Sequence, residues 1–252
     1  MLNSASYYRS IASRYDSFRQ WGDTVASKVV KVGEISRGTR VLDIGCGTGN
    51  LISAVKNISG CNAYGIDLSL EMLDVAKKKI ANGIFVKGNV GAIPFANCSF
   101  NCVIGAFFLH LVDRGDREIV IKECYRVLSR GRLLILTLSY EQIEKSIYGR
   151  FFPEIIGIEK NGRFSDITEI ENWLWNSGFT QVKCETIQDE PIKIDEQFFS
   201  SVKNKAISSL ALISPQAFVR GLRRLRRFLD EKGDEERICD QPITLVYGEK
   251  QL

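Results

Sequence analysis

The chain has 252 residues, 44% of them hydrophobic and 25% charged, with 21 glycines and 5 prolines. This excludes disordered, collagen-like and mini-protein classes and suits one large α/β domain or a domain with a cap. Its 34 Lys and Arg against 30 Asp and Glu give +4 with the single histidine neutral, far below the charge density of an obligate nucleic-acid coat, so RNA is neither required nor excluded.

The longest apolar runs, Val103–Leu109 and Leu133–Leu136, have strand length, and no membrane-spanning helix is expected. At the N-terminus, Tyr7, Tyr8 and Arg9 interrupt the apolar stretch that a secretory leader requires, so the reading is an intracellular, cytoplasmic protein. The 7 cysteines, Cys46, Cys61, Cys98, Cys102, Cys124, Cys184 and Cys239, contain no Cys-x-x-Cys pair. Neither a disulfide framework nor a metal site is expected from them.

In chain order, Tyr8, Ile11, Ala12, Tyr15 and Phe18 recur at helical spacing and are followed by Trp21, Val25, Val29 and Val32. They predict two helices forming an N-terminal lid over 1–36. Apolar runs at 41–44, 63–66, 84–86, 102–108 and 133–138 then alternate with helical patterns at 50–58, 70–81 and 115–128. That alternation predicts an α/β fold with a parallel sheet and helices on both faces. Asp166 or Thr168, followed by Glu169, starts a helix that Gly178 ends. Two further strands are expected at 179–187 and 243–247, bringing the sheet to seven. Residues 188–242 between them, helical at 195–212 and 215–231, are too long for a hairpin loop. They are read as a helical cap on the substrate side, with 37–187 and 243–252 as the core.

The most informative segment is Val41-Leu42-Asp43-Ile44-Gly45-Cys46-Gly47-Thr48-Gly49-Asn50. A strand runs into glycines at alternate positions and then a helix, so a ligand can approach the backbone next to free helix N–H groups. The spacing Gly-x-Gly-x-Gly departs from the Gly-x-Gly-x-x-Gly of dinucleotide folds, and no Gly-Lys-Ser/Thr end follows. A nicotinamide dehydrogenase or P-loop enzyme is therefore disfavoured.

This run resembles motif I of the class I S-adenosylmethionine-dependent methyltransferases, particularly the small-molecule branch related to ubiquinone and menaquinone biosynthesis. The resemblance continues in family order through Tyr64–Met72, Gly88–Phe95, Ser99–Phe107 and Glu123–Arg132, and weakly through Tyr8–Asp16. It implies a Rossmann-like fold and S-adenosyl-L-methionine as cofactor. In-line methyl transfer to a small-molecule acceptor would leave S-adenosyl-L-homocysteine. Asp43 would meet the methionyl ammonium, Gly45, Cys46, Gly47 and Gly49 would turn over the tail and ribose, and Asp67 would accept the ribose hydroxyls. Leu68 and Met72 would flank adenine. Asn89, where the family usually has Asp, would accept from the adenine amine beside the Val90 N–H. Ala106 and Phe107 end the fourth strand, and Tyr15 would close over the tail.

His110, the only histidine, falls just past the fourth strand and is the candidate catalytic base, with helix-start packing as the competing role. Arg220, Arg223, Arg224, Arg226 and Arg227 lie opposite Phe218, Leu222, Leu225 and Leu229. They read as a solvated helix face, with an anionic substrate or RNA as the alternative. RNA or protein methylation, or cofactor binding without turnover, are the competing functions. No Asn-Pro-Pro-Tyr or Asp-Pro-Pro-Tyr tetrapeptide supports the first of them.

Overall fold

The computed structural model describes residues 15–16, 21–205, 207–233 and 238–251. Of the first lid helix, only Tyr15 and Asp16 fall among them; Tyr8, Ile11, Ala12 and Phe18 lie outside. The second is α1 (Asp23–Val32), which buries Val25, Ala26, Val29 and Val32, the helical spacing read from the sequence.

Five strands follow in parallel: β1 (Arg40–Ile44), β2 (Asn62–Asp67), β3 (Ile84–Lys87), β4 (Phe100–Ala106) and β5 (Leu128–Thr137). Between them lie α2 (Asn50–Ser59), α3 (Leu70–Lys79) and α4 (Arg117–Val127). The strand β5 begins five residues before the apolar run at 133–138, because a register shift against Phe100–Cys102 admits Leu128–Arg132 into pairing. Gly131 makes that approach possible: a Cβ there would lie 1.8 Å from the Asn101 carbonyl oxygen.

Past β5 come α5 (Tyr140–Lys145), α6 (Ile147–Phe151) and α7 (Glu154–Ile158), then α8 (Ile167–Asn176), whose capping box pairs Asp166 with Glu169 as expected. Next are β6 (Thr180–Ile187), β7 (Ile192–Lys193), α9 (Glu196–Lys203), α10 (Pro215–Glu231), β8 (Ile238–Cys239) and β9 (Ile243–Lys250). The helical pattern at 195–212 breaks after Lys203, and only a 3-10 turn follows at Ser208–Ala211.

The sheet order is β3-β2-β1-β4-β5-β9-β6, with β9 antiparallel to both neighbours. The order reverses between β1 and β4, so a crevice opens at the carboxyl ends of those strands, where open α/β sheets bind ligands. Successive residues feed opposite cores. Val41, Leu134 and Leu245 join α1, α2 and α3 on one face; Leu42, Ile135 and Val246 join α4 and α8 on the other.

A third core lies apart from the sheet. Ile147, Phe151, Phe152 and Ile155 pack with Phe198, Leu210, Leu225 and Phe228. Residues 140–158, counted with the sheet core in the sequence reading, thus share their apolar surface with 188–242. Helices α6 and α7 have five residues each, too short to print a helical period. At Gly221 a Cβ would lie 2.1 Å from the Phe152 ring, so α10 lies directly on that side chain.

Candidate active site

The chain leaves β1 through Gly45 (φ +64°), Gly47 (φ +53°) and Gly49 (φ +73°) and enters α2. Two of these glycines are packed: a Cβ on Gly45 would meet Phe108 Cβ at 2.7 Å and one on Gly49 would meet Ala76 Cβ at 3.1 Å. A Cβ on Gly47 would meet nothing within 4 Å among the described residues, so that side of the turn is open. Cys46 serves the turn itself. Its N–H donates to Ile66 O (3.1 Å) and its carbonyl accepts from Gly49 N (2.9 Å). The thiol sits in the core, where burial pushes its pKa up.

Asp67, at the end of β2, accepts from Gly47 N through Oδ2 and from Ser69 N through Oδ1, both at 2.9 Å. Each carboxylate oxygen has a second lone pair, so a vicinal diol can be taken without breaking the turn. Burial raises the Asp67 pKa, moderated by the N–H groups of Ser69, Gly47 and Leu68. Asp43 is only 2% exposed, and burial, then the charge of Asp67, raises its carboxyl well above the usual range while the Ile52 N–H lowers it. No Lys or Arg pairs with either among the described residues. A buried carboxylate and a half-buried one, without a cation among the described residues and beside an open glycine, fit the amino-acid tail, sulfonium and ribose of S-adenosylmethionine.

The expected adenine contacts divide. Leu68 is 58% exposed, whereas Met72 is buried, with its N–H held by Ser69 Oγ (3.3 Å). Asn89 Oδ1 already accepts from Gly91 N (2.9 Å), closing the loop after β3, and its second lone pair stays available. Val90 packs partly against the second core. Gly88 N donates to Asp67 O (3.0 Å), which ties this loop to the end of β2.

Asp16 was not singled out as a site residue by its sequence. Its Oδ1 accepts from Thr48 Oγ1 (2.6 Å) and Asn50 Nδ2 (2.9 Å), and Oδ2 pairs with Lys79 Nζ (2.7 Å). A carboxylate thus sits at the N-terminus of α2, where the helix dipole favours it.

A cavity of about 200 Å³ lies between the sheet edge and the third core. Tyr15, Trp21, Phe107 and His110 line the side nearer the sheet. Ile143, Tyr148, Ile155 and Phe164 line another wall, with Glu159, Ser208, Ser209, Asp189 and Gln241 as polar members. Phe107 adopts φ +51°, a left-handed conformation that is costly for an aromatic residue. Its N–H donates to Leu136 O (2.9 Å) and its ring stacks on Trp21 at 5.7 Å. Ala106, just before it, is half-buried against the first core. His110 stacks on Phe164 at 4.6 Å and 8°, so its ring is oriented in the cavity wall.

The turn that carries Phe164 is held by one buried cation. Arg117, 2% exposed, donates to the carbonyls of Val112, Gly162 and Arg163 and to Ser165 Oγ. Glu159 pairs with Arg163 (3.1 Å) and accepts from Ser209 Oγ. This turn carries no periodic apolar pattern, and by sequence Arg117 is an ordinary helix-start residue.

The arginines of α10 are largely engaged. Arg220 pairs with Glu154, Arg226 with Glu196 and Arg227 with Glu231, while Arg224 donates to Phe151 O. Among the described residues no helix is long and apolar enough to cross a membrane.

A family model described as a methyltransferase domain matches residues 41–131. A demethylmenaquinone methyltransferase of Chlorobaculum parvum is 32% identical over 160 residues, 62% of this chain and 65% of that protein; the match thus spans just under two thirds of that relative. A demethylmenaquinone methyltransferase of Staphylococcus aureus is 30% identical over 189 residues, 68% of this chain and 76% of the relative. Among solved structures, a protein assigned as an antibiotic-pathway methyltransferase in Anabaena variabilis superposes with a TM-score of 0.75 at 20% identity, covering 92% of this chain and 99% of that one. The Haemonchus contortus phosphoethanolamine N-methyltransferase 2 in complex with S-adenosyl-L-methionine gives 0.61 at 18% identity, covering 97% and 60%. These likenesses, together with the glycine turn, the strand-end carboxylates and the sheet order, place the chain in the family of class I S-adenosylmethionine-dependent methyltransferases.

Proposed function

We propose that the protein transfers a methyl group from S-adenosylmethionine to a small organic acceptor held in the cavity beneath the cap. The observation that carries this is Asp67: it fastens the open Gly47 turn while keeping a lone pair on each oxygen, beside a second buried acid that lacks a cation. When bound, the cofactor supplies a methyl on a cationic sulfur, which an acceptor atom displaces in line.

The chain's own contribution is orientation and exclusion of water. Asp43, Gly45, Gly47, Gly49 and Asp67 hold the tail and ribose, and Leu68, Asn89 and Val90 border the adenine, with Met72 beneath. The backbone of Cys46 keeps the turn in shape. Tyr15, Ala106 and Phe107 separate cofactor from acceptor. Holding two reactants in line is worth on the order of 7–11 kcal/mol in well-oriented systems, so a strong base is optional. His110, oriented by Phe164, is placed to take a proton from an acceptor hydroxyl or acidic carbon.

The domain reading that fits is a lid over 1–36, a cofactor core over 37–187 and 243–252, and a cap over 188–242 joined by the short helices after β5. The absence of a paired thiol among the seven described cysteines suits a reducing cytoplasm. Methylation of RNA is disfavoured by the internal pairing of the arginine cluster, which leaves little charge for phosphates. The names of the quinone-pathway relatives support a small acceptor.

The test is calorimetric titration with S-adenosylhomocysteine, followed by transfer of labelled methyl from the donor into a metabolite extract. Heat that disappears in Asp67→Ala, together with label in the small-molecule fraction, is expected. Binding without transfer to metabolite, protein or RNA would leave a cofactor sensor instead.

A further inference from the structure

We infer that the methyl acceptor is a small amine, positively charged at neutral pH, whose ammonium group is held by the Asp189 carboxylate beside the stacked rings of Trp21 and Phe107. This deepens the proposed function and rests on it for the transfer step, while the charge selectivity of the cavity stands independently.

Asp189 comes two residues after β6, where the chain leaves the sheet for the cap, and it lines the cavity. Its position is set against the segment that enters α1. A Cβ on Gly22 would lie 3.0 Å from Asp189 Oδ1 and 3.5 Å from Glu190 Cγ. The missing side chain at Gly22 thus leaves room for the carboxylate, which sits against the residue that follows Trp21. The Trp21 indole stacks on Phe107 at 5.7 Å and 12°, and both rings line the same cavity.

The acid is uncompensated. Asp189 is half-buried, and its one hydrogen bond in the structure is from the Glu190 N–H to Oδ1 (2.9 Å). No Lys or Arg pairs with Asp189 or Glu190 among the described residues. Burial pushes the Asp189 pKa up, the Glu190 N–H lowers it, and the Glu190 charge raises it further. A partly desolvated carboxylate without a counter-charge costs free energy that a bound cation recovers.

The rest of the cavity favours the same charge. No Lys or Arg lines it among the described residues, and the other acid of the wall, Glu159, is balanced by Arg163. A cation within about 6 Å of a Trp or Phe face is attracted by the ring quadrupole. A neutral hydroxyl could hydrogen-bond to Asp189 but brings no charge to it, and a carboxylate or phosphate would meet like charge in a poorly solvated site. Ile143, Tyr148, Ile155 and Phe164 are left to take the hydrocarbon body of the amine.

In the transfer, the ammonium gives one proton to the His110 ring, which lines the same cavity. The freed nitrogen lone pair forms the bond to the methyl carbon as the carbon–sulfur bond breaks, its electron pair returning to sulfur. The product leaves as a methylammonium ion, and His110 releases its proton to solvent.

The experiment uses the full chain, saturated with S-adenosylhomocysteine, and three probes of nearly equal shape: naphthalen-2-ylmethylamine, naphthalen-2-ylmethanol and 2-naphthoate. Calorimetry is expected to show the amine binding roughly tenfold more tightly than the alcohol, the gain of a charge-assisted over a neutral hydrogen bond, and the carboxylate binding most weakly. Asp189→Asn keeps the shape and the Oδ1 acceptor, so it should erase the amine's advantage over the alcohol. Alcohol and S-adenosylhomocysteine affinities should stay as they were, which also shows that the variant folds. With methyl-labelled S-adenosylmethionine in place of the by-product, the label should appear on the amine nitrogen.

Alcohol or naphthoate bound as tightly as the amine, an amine preference that survives Asp189→Asn, no binding of any probe, or amine bound to the loaded enzyme without methylation would each overturn the inference. If S-adenosylhomocysteine binds and the amine preference is missing, the methyltransferase reading stands without it. If the probes show the expected order but S-adenosylhomocysteine does not bind, the methyltransferase reading fails and the cation site stands.

Discussion

Thr48 Oγ1 donates to Asp16 Oδ1 at 2.6 Å, joining the segment ahead of α1 to the glycine turn. Thr48 is 1% exposed, so the bond is shielded, and the carboxylate also accepts from the side chain of Asn50, the first residue of α2, and pairs with Lys79, the last residue of α3. Tyr15, the preceding residue, lines the cavity. One side chain therefore ties residues 15–16, beside that cavity, to the glycine turn.

Replacing Asp16 by Ala should consequently affect binding more than folding. A buried hydroxyl loses its acceptor, at a cost of about 1–3 kcal/mol, and the partly exposed pair with Lys79 adds little. Affinity for S-adenosylhomocysteine is expected to fall about tenfold, with a melting shift of only a few degrees. Unchanged calorimetric affinity would show that Asp16 does not hold the closed lid.

The three glycines of the turn predict a graded series. Alanine at Gly47 adds about 1–2 kcal/mol of left-handed strain and places a methyl in the open space, so the variant should fold but bind the cofactor poorly. Alanine at Gly45 carries the same strain and drives a Cβ to within 2.7 Å of Phe108 Cβ, so it should melt well below the Gly47 variant. Circular-dichroism melts and titration of the two variants separate these effects, and equal melting temperatures would contradict the packing difference.

The sheet was legible because its signal is local: seven apolar runs, each ending where its strand ends within a few residues. The glycine turn and Asp67 were legible for the same reason, since a βα crossover puts sequence neighbours into one site. Asp16, Glu159, Asp189 and Gln241 were not. Each meets the site through chain folding over long separations, and none stands in a periodic run. Arg117 shows the limit most clearly, because a surface-type residue in sequence becomes a buried clamp only when residues 162–165 return to it. The cap was half-legible. The 17-residue α10 has a wide apolar stripe, whereas α6 and α7 are too short to carry one.

Asp43 makes the cofactor-free protein sensitive to pH in a defined direction. Its folded pKa is raised, so the folded state binds more protons than the unfolded chain between the ordinary carboxylate pKa and the raised one. Stability from this group is present below that window and is lost as pH rises through it. Asp43→Asn removes the titration. The unaltered protein should therefore lose melting temperature relative to the Asn variant as pH is raised. Added S-adenosylmethionine, whose positive charge favours the ionised acid, should narrow the gap. Parallel melting curves across pH would refute the assignment.

Arg117 leads to the strongest separation between folding of the core and competence of the acceptor side. Its guanidinium satisfies three carbonyls and one hydroxyl, and burial, with the nearby charge of Arg114, lowers its pKa without an acid bonded to it. Arg117→Met fills much of the space but leaves those four groups without their donor, at about 1–3 kcal/mol for each that water cannot reach. The damage should be confined to the turn that sets Phe164 against His110. Amide exchange at 159–165 is expected to speed up while β1 and β2 stay protected, and S-adenosylhomocysteine affinity should stay within about twofold. Turnover should fall at least tenfold, mainly through kcat, because the stacked ring no longer fixes the wall facing the acceptor. A variant that keeps full turnover despite faster exchange would show that the His110–Phe164 stack is packing alone.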